Sequence, residues 1–70
     1  MNSFDQDRYL ALAEDRIARG EQWVSRQLAL IERLRDSGLP TDTAEDTLAA
    51  MEATLRQFYE QRNTLLSVAK

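Results

Sequence analysis

The chain of 70 residues contains no cysteine and no histidine. Without cysteine it can form neither a disulfide nor a thiolate metal site, and without histidine it lacks the usual ligands of zinc and haem. The di-iron centres of four-helix proteins are excluded as well, because they require Glu-x-x-His pairs that point inward. We therefore expect no metal and no cofactor.

Long hydrophobic runs are also missing. The longest stretch of consecutive apolar residues is 9–13, far short of the roughly 20 residues that a membrane-spanning helix needs. The first residues, 1–5, carry neither the basic region nor the apolar region of a signal peptide. These absences predict a soluble cytoplasmic protein that does not interact with membranes.

No strong excess of charge of either sign is present. The net charge of -3 comes from twelve acidic and nine basic residues spread through the chain. Nucleic-acid binding requires a basic stripe, and acidic residues at 15, 32 and 36 lie in sequence among the candidate arginines, which are Arg16, Arg19, Arg26 and Arg33. We therefore expect no nucleic acid as a partner.

Catalytic patterns are sparse too. Adjacent carboxylates such as Glu14 with Asp15, or Glu45 with Asp46, are typical of solvated helix faces, and nothing near them predicts a pocket that would shift a pKa. No nucleotide motif and no nucleophile-and-base arrangement occurs. The sequence indicates that this protein is not an enzyme.

Glycine and proline are rare, with two and one, and one of each falls in a single break at 37–42. Gly38 can adopt the left-handed conformation that ends a helix, and Pro40 cannot continue one. Thr41 or Asp42 can cap the next helix, with Glu45 in support. The sequence thus predicts an all-α protein: helix 1 over about 4–37, a turn at 38–42 and helix 2 over about 43–68. Helices joined by so short a connection fold back antiparallel.

Apolar residues at three- and four-residue spacing predict the contact between the two helices. In helix 1 these residues are Leu10, Ala13, Ile17, Gly20, Val24, Ile31 and Leu34. In helix 2 they are Ala44, Leu48, Met51, Leu55, Phe58, Leu65 and Ala69. The antiparallel register pairs Gly20 with Phe58, so that a residue without a side chain faces a large ring. A glycine inside a helix costs about 1 kcal/mol relative to alanine, and the close approach of Phe58 would compensate for it.

We call this line of contact between the two helices the seam, and two polar residues lie within it. Arg62 lies on the apolar face of helix 2, and we expect it to pair with Glu14 or Glu21, or to extend its charged end into solvent at the open end of the hairpin. Gln27 is expected to face Glu52 and to form a polar layer with it.

Further apolar residues lie outside the seam. At about 100° per residue, Leu12, Trp23 and Leu30 form a line rotated away from Ile17 and Val24. A two-helix hairpin cannot cover this line, which is an exposed patch in a monomer and a normal core in an assembly. We expect a homodimer that forms a four-helix bundle, in which this line meets its own copy or the partner's helix 2 near Tyr59 and Leu66.

The spacing Gly20-Glu21-x-x-Val24-x-x-Gln27-x-x-Leu30-Ile31-x-x-Leu34, the turn glycine Gly38, and the later pattern Arg62-x-x-Leu65-Leu66 resemble a group of short, uncharacterised bacterial helical-hairpin proteins of unknown function. The resemblance covers most of the chain from Ala13 onward. It implies a helical hairpin and supplies no activity.

Three functional hypotheses remain at this point. The first is a self-associating structural or adaptor protein that acts through protein–protein contacts. The second is a small regulatory protein that docks its apolar helix face onto a larger helical partner, with Trp23 as an aromatic anchor. The third, a nucleic-acid binder or an enzyme, has little support. The complete heptad pattern favours the first.

Overall fold

The computed structural model describes residues 3–68, with side chains described from residue 5. Two helices make up this part of the chain, α1 (Ser3–Asp36) and α2 (Asp42–Val68), and it contains no strand. The protein is therefore all-α, as the sequence predicts. Ala69, which the sequence assigns to the seam, lies outside the described residues.

α1 ends in a turn built on Gly38. The N–H of Leu39 donates to the carbonyl of Leu34 (2.8 Å) and the N–H of Gly38 donates to the carbonyl of Arg35 (3.0 Å). This pair of bonds is a Schellman motif, which satisfies carbonyls that the end of a helix leaves without partners. Gly38 has φ of 73°, in the left-handed region that favours glycine.

Thr41 connects the turn to α2. Its carbonyl accepts from the N–H of Glu45 (2.8 Å), which is the first hydrogen bond of the new helix, and its hydroxyl donates to Glu45 Oε1 (3.1 Å). The same carboxylate oxygen lies 3.5 Å from Arg35 Nη2. Glu45 thereby ties the last turn of α1 to the first turn of α2.

Replacing Gly38 with valine tests this turn. A Cβ at Gly38 would meet no atom within 4 Å, so the penalty comes from the backbone alone and should be about 1–2 kcal/mol, the cost of a left-handed conformation for an L-residue. We expect a lower melting temperature, or a swapped dimer in which α1 and α2 join as one long helix.

Gly38→Asn is the matched control, because asparagine tolerates the left-handed region and keeps the turn. Thermal unfolding and sedimentation of both variants measure the effect. An unchanged melting temperature and an unchanged size for Gly38→Val would contradict this turn geometry.

The helices pack antiparallel over their whole described length. Gln6 Nε2 donates to the carbonyl of Leu65 at the open end (3.2 Å), and Arg35 meets Glu45 at the turn. The buried side chains are few, two alanines and three larger aliphatic residues. They are Ala13, Ile17, Ile31, Ala44 and Leu55.

The hairpin is long and thin, with extents of 54 × 14 × 13 Å. Its accessible surface is 5411 Å². A compact monomer of 8.1 kDa would expose about 4,500 Å² by the usual scaling of surface with mass. Two helices that touch along a single seam leave the rest of each helix uncovered, and this accounts for the excess.

Candidate functional site

The hairpin has two broad faces, one on each side of the plane that contains both helix axes. Glu21 and Trp23 are two residues apart on α1, and at about 100° per residue they point to nearly opposite sides. The Tyr59 hydroxyl donates to Glu21 Oε2 (2.9 Å), so Tyr59 lies on the Glu21 side. We call these sides the Trp23 face and the Tyr59 face.

Two grooves between α1 and α2 open on the Trp23 face. The smaller, about 210 Å³, is lined by Gly20, Trp23, Thr47, Ala50, Met51, Thr54, Leu55 and Phe58. The larger, about 700 Å³, is an open cleft lined by Tyr9, Leu12, Ala13, Arg16, Gln57, Glu60, Gln61, Thr64 and Leu65. The smaller groove lies below the 300–1,000 Å³ typical of ligand pockets and is suited to single side chains of another protein.

Each helix contributes to the Trp23 face a second line of residues at alternating three- and four-residue spacing. On α1 this line, the arginine–aromatic stripe, consists of Tyr9, Leu12, Arg16, Arg19, Trp23, Arg26, Leu30 and Arg33. On α2 the line, the uncharged stripe, consists of Thr47, Ala50, Thr54, Gln57, Gln61 and Thr64. Every residue of the uncharged stripe lines one of the two grooves. This spacing is that of a helix seam facing another helix.

Trp23 is the most exposed aromatic residue described, at 56%. Tyr9 and Leu12 are also exposed, and Leu30 is half-buried. Arg19, which could have covered the Trp23 ring, instead pairs with Asp15 (Nε to Oδ2, 3.1 Å). An exposed apolar line with an aromatic at its centre is typical of a protein interaction site.

The Tyr59 face is already linked across the hairpin. The hydrogen bond to Glu21 raises the pKa of Tyr59, because ionisation would place a second negative charge beside the carboxylate. The bond is therefore present below the ordinary tyrosine pKa of 10.0 and is lost as pH rises through the raised value. The Arg35–Glu45 pair bridges the two helices near the turn.

Arg62 differs from the sequence-based expectation. Among the described residues no ion pair joins it to Glu14 or Glu21. Its guanidinium carbon instead lies 5.4 Å from the centre of the Tyr59 ring, and Nη2 donates to Asn63 Oδ1 (3.3 Å). Because Glu21 accepts the Tyr59 hydroxyl, the aromatic ring takes the place of the carboxylate as the neighbour of Arg62. Its Nε is buried and has no hydrogen-bond partner among the residues that the structure describes.

Gln27 also differs. It does not bond to Glu52, which is exposed. Its Nε2 donates to the backbone carbonyl of Ala44 (2.8 Å), as Gln6 does to the carbonyl of Leu65 (3.2 Å). A backbone carbonyl is an acceptor at every position, so side-chain patterning alone gave no signal for these two contacts.

Gly20 lies against α2, where the sequence register puts it. A Cβ at Gly20 would be 2.9 Å from Leu55 Cδ1 and 3.8 Å from Phe58 Cδ2. Any side chain at Gly20 would therefore displace Leu55, and the close approach of the helices offsets the helical cost of glycine.

Gly20→Leu should lower the free energy of unfolding by about 1–3 kcal/mol, because its branched side chain overpacks the space held by Leu55 and Phe58. This loss is expected although leucine has the better helix propensity. Gly20→Ala is the control, since only the flexible end of Leu55 must move to admit a methyl group. Urea denaturation measures both variants, and a Gly20→Leu variant more stable than the parent would contradict this packing.

The five residues expected at a chain–chain contact are divided between the two faces. Leu12, Trp23 and Leu30 share the Trp23 face, whereas Tyr59 lies on the other and Leu66, seven residues later, shares its side of α2. The sequence held the signal for this division. Helical wheels of the two helices, drawn in opposite senses as an antiparallel pair requires, place Tyr59 and Trp23 on opposite sides.

Neither helix has, within residues 3–68, a segment long and apolar enough to cross a membrane. Over the same residues, no group of three or more carboxylates is arranged to hold a metal ion. No family model, no curated protein and no solved structure matches the chain. The resemblance to bacterial helical-hairpin proteins remains a prediction.

Proposed function

We propose that this protein is a non-catalytic, self-associating structural or adaptor protein, a homodimer in which two hairpins meet through their Trp23 faces as a four-helix bundle. The observation that carries this proposal is the exposed apolar line of α1 centred on Trp23, beside a groove of side-chain size. Among the residues that the structure describes, no other part of the hairpin covers this apolar line, so it is exposed unless another chain covers it.

The accessible surface supports an assembly of this size. The hairpin exposes roughly 900 Å² more than a compact monomer of its mass. A standard interface buries about 800 Å² on each partner. One face covered by a second copy would therefore bring the exposed surface per chain close to that of an ordinary globular protein.

The choice of face follows from charge and hydrogen bonding. On α2 the Trp23 face offers a line without charged residues, whereas the Tyr59 face carries Glu21 and Glu45 in interactions that already cross the hairpin. Covering the uncharged line of α2 costs less than desolvating Glu21 and Glu45, provided that the four arginines on the α1 side of the Trp23 face keep their charged ends in solvent. A chain without cysteine needs no oxidising compartment to fold, and we place the dimer in the cytoplasm.

Sedimentation combined with circular dichroism over a dilution series from micromolar to nanomolar concentration tests this proposal. We expect a dimer of two 8.1 kDa chains that loses mass and helicity together on dilution, because the isolated hairpin has too small a core to stand alone. A helical monomer at micromolar concentration would contradict the homodimer and would favour a regulator that docks onto a larger helical partner.

A further inference from the structure

Two copies that meet through the same face can be related by a two-fold axis in two ways that keep neighbouring helices antiparallel. If the axis is parallel to the helices, α1 of each copy lies on α2 of the other, and both turns are at the same end. If the axis crosses the helices, α1 lies on α1, α2 lies on α2, and the turns are at opposite ends.

Building on the proposed homodimer, we infer that the arginine–aromatic stripe of each α1 packs on the uncharged stripe of the partner copy's α2. Both turns then lie at the same end of the bundle. We call this arrangement the same-end dimer. Three properties of the two stripes select it: side-chain size, charge and hydrogen bonding.

The two stripes differ in bulk. Every residue of the arginine–aromatic stripe is arginine, leucine or an aromatic, whereas the uncharged stripe consists of threonine, alanine and glutamine. Helix axes pack 8–10 Å apart, depending on the side chains at the contact. The opposite-end arrangement would hold the two α1 helices apart while the two α2 helices need to be close. In the same-end dimer both contacts join the bulky stripe to one whose side chains are smaller on average, so the spacing between helices is the same at both contacts.

Charge selects the same arrangement. Four of the eight residues in the arginine–aromatic stripe are arginines, and within the described part of the chain only Arg19 has an ion-pair partner. In the opposite-end arrangement the two α1 helices run antiparallel and meet along this stripe. Arg16 of each copy would then face Arg26 of the other, which makes two such pairs in each dimer. Facing like charges oppose association. The uncharged stripe presents no such charge, and Glu60 at its border lines the same groove as Arg16.

Hydrogen bonding makes the threonines of the uncharged stripe inexpensive to cover, while Gln57 and Gln61 keep donors and acceptors for the partner copy. The hydroxyls of Thr47, Thr54 and Thr64 donate to the carbonyls four residues earlier, at 3.0, 3.1 and 3.0 Å. These donors already have partners inside α2, so a covering chain leaves none of them unsatisfied. The threonine methyl groups remain for contact with the aromatic and leucine side chains of the partner copy.

Spin labels test where the turns lie, since the chain has no cysteine and each introduced thiol is unique. In the dimer of Ser37→Cys, we expect the two labels within about 25 Å of each other, because neighbouring helices of a bundle lie 8–10 Å apart. In the opposite-end arrangement the labels would be separated by nearly the 54 Å length of the hairpin. Pulsed electron resonance distinguishes the two distances.

Ala53→Cys, exposed near the middle of α2, is the matched control. Its labels should lie within about 35 Å in either arrangement, because the middle of one hairpin stays beside the middle of the other. A long distance at Ser37→Cys with a short one at Ala53→Cys would overturn the same-end dimer and leave the homodimer standing. No coupling at either site, with a monomer in sedimentation, would overturn the homodimer itself.

Cross-linking tests which stripes meet. A mixture of Arg26→Cys and Ala50→Cys chains, treated with a short bifunctional maleimide, should yield the mixed covalent dimer in clear excess over either self-linked species. If the mixed species is absent while the Ser37→Cys distance is short, the copies meet through the Tyr59 face, and the pairing of stripes is wrong.

Discussion

Trp23→Ala is expected to weaken the dimer by about 2 kcal/mol or more, roughly a 30-fold rise in the dissociation constant. Trp23 is 56% exposed in the single hairpin and lies near the middle of the arginine–aromatic stripe, where aromatic anchors contribute most to association. Helicity should fall with the dimer, because the separated hairpin buries only five side chains in its described part. Sedimentation equilibrium and circular dichroism, read at the same concentrations, measure both losses.

Two leucines serve as controls for Trp23. Leu39 is exposed to a similar fraction, 54%, and lies in the turn, outside either face. Leu28 is also exposed, and helical spacing puts it on the Glu21 side of α1. Leu39→Ala and Leu28→Ala should both leave the dissociation constant within about threefold of the parent, as surface substitutions usually cost less than 0.5 kcal/mol. If Leu28→Ala weakens association and Trp23→Ala does not, the interface is on the Tyr59 face.

Leu55→Ala is expected to lower the free energy of unfolding by about 2 kcal/mol or more. Leu55 is 9% exposed, and its Cδ1 fills the space beside Gly20. Its removal leaves a cavity in a core whose other buried residues, among those described, are only Ala13, Ile17, Ile31 and Ala44, too few to close around it. Chemical denaturation at a fixed protein concentration measures the change, since dimerisation makes apparent stability depend on concentration.

Leu66→Ala is the control for Leu55, because it makes the same change on the same helix at a residue that is 43% exposed. It should change stability by less than about 0.5 kcal/mol. A double-mutant cycle makes the test of Leu55 sharper. Once Leu55 is truncated, Gly20→Ala no longer meets its Cδ1, so the alanine should recover up to about 1 kcal/mol of helix propensity. Purely additive effects of the two substitutions would contradict the close contact between Leu55 and Gly20.

The helices and the turn could be read from the sequence because they depend on local chemistry. Gly38 and Pro40 mark the break, and the observed helices, Ser3–Asp36 and Asp42–Val68, end within a residue or so of the expected positions. The register followed from the spacing of apolar residues along each helix, which predicts Gly20 beside Phe58; in the structure a Cβ at Gly20 would lie 3.8 Å from Phe58 and, closer still, 2.9 Å from Leu55.

The partners of polar side chains could not be read in the same way. When the two helices are paired antiparallel, Arg62 can reach Glu14, Glu21 and the Tyr59 ring. The sequence does not fix the side-chain positions that determine which of these groups Arg62 contacts. In the structure the Tyr59 hydroxyl donates to the Glu21 carboxylate, and the guanidinium of Arg62 lies over the Tyr59 ring. Gln27 likewise bonds to a backbone carbonyl that no residue pattern reveals.

The acidic residues among the candidate arginines differ in where helical spacing puts them. Glu32 is adjacent to Arg33 along the chain and points about 100° away from it around α1, whereas Asp36, three residues on, is only about 60° away. Asp15 is paired with Arg19. Of the three acidic residues only Glu32 is turned away from the arginines, so Asp15 and Asp36 interrupt their line on the folded surface as well.

The turn at Gly38 also bears on the order in which the hairpin folds. Arg35 and Glu45 are ten residues apart, whereas Gln6 and Leu65 are 59 apart. The entropy cost of closing a loop rises by about 0.6 kcal/mol with each doubling of its length. Contacts beside the turn close the shortest loops, so they form at the lowest entropy cost and are expected to form first. Pairing should then spread from Gly38 toward the open end. The turn consequently governs the rate of folding, while the end that joins Gln6 to Leu65 opens first when the hairpin unfolds.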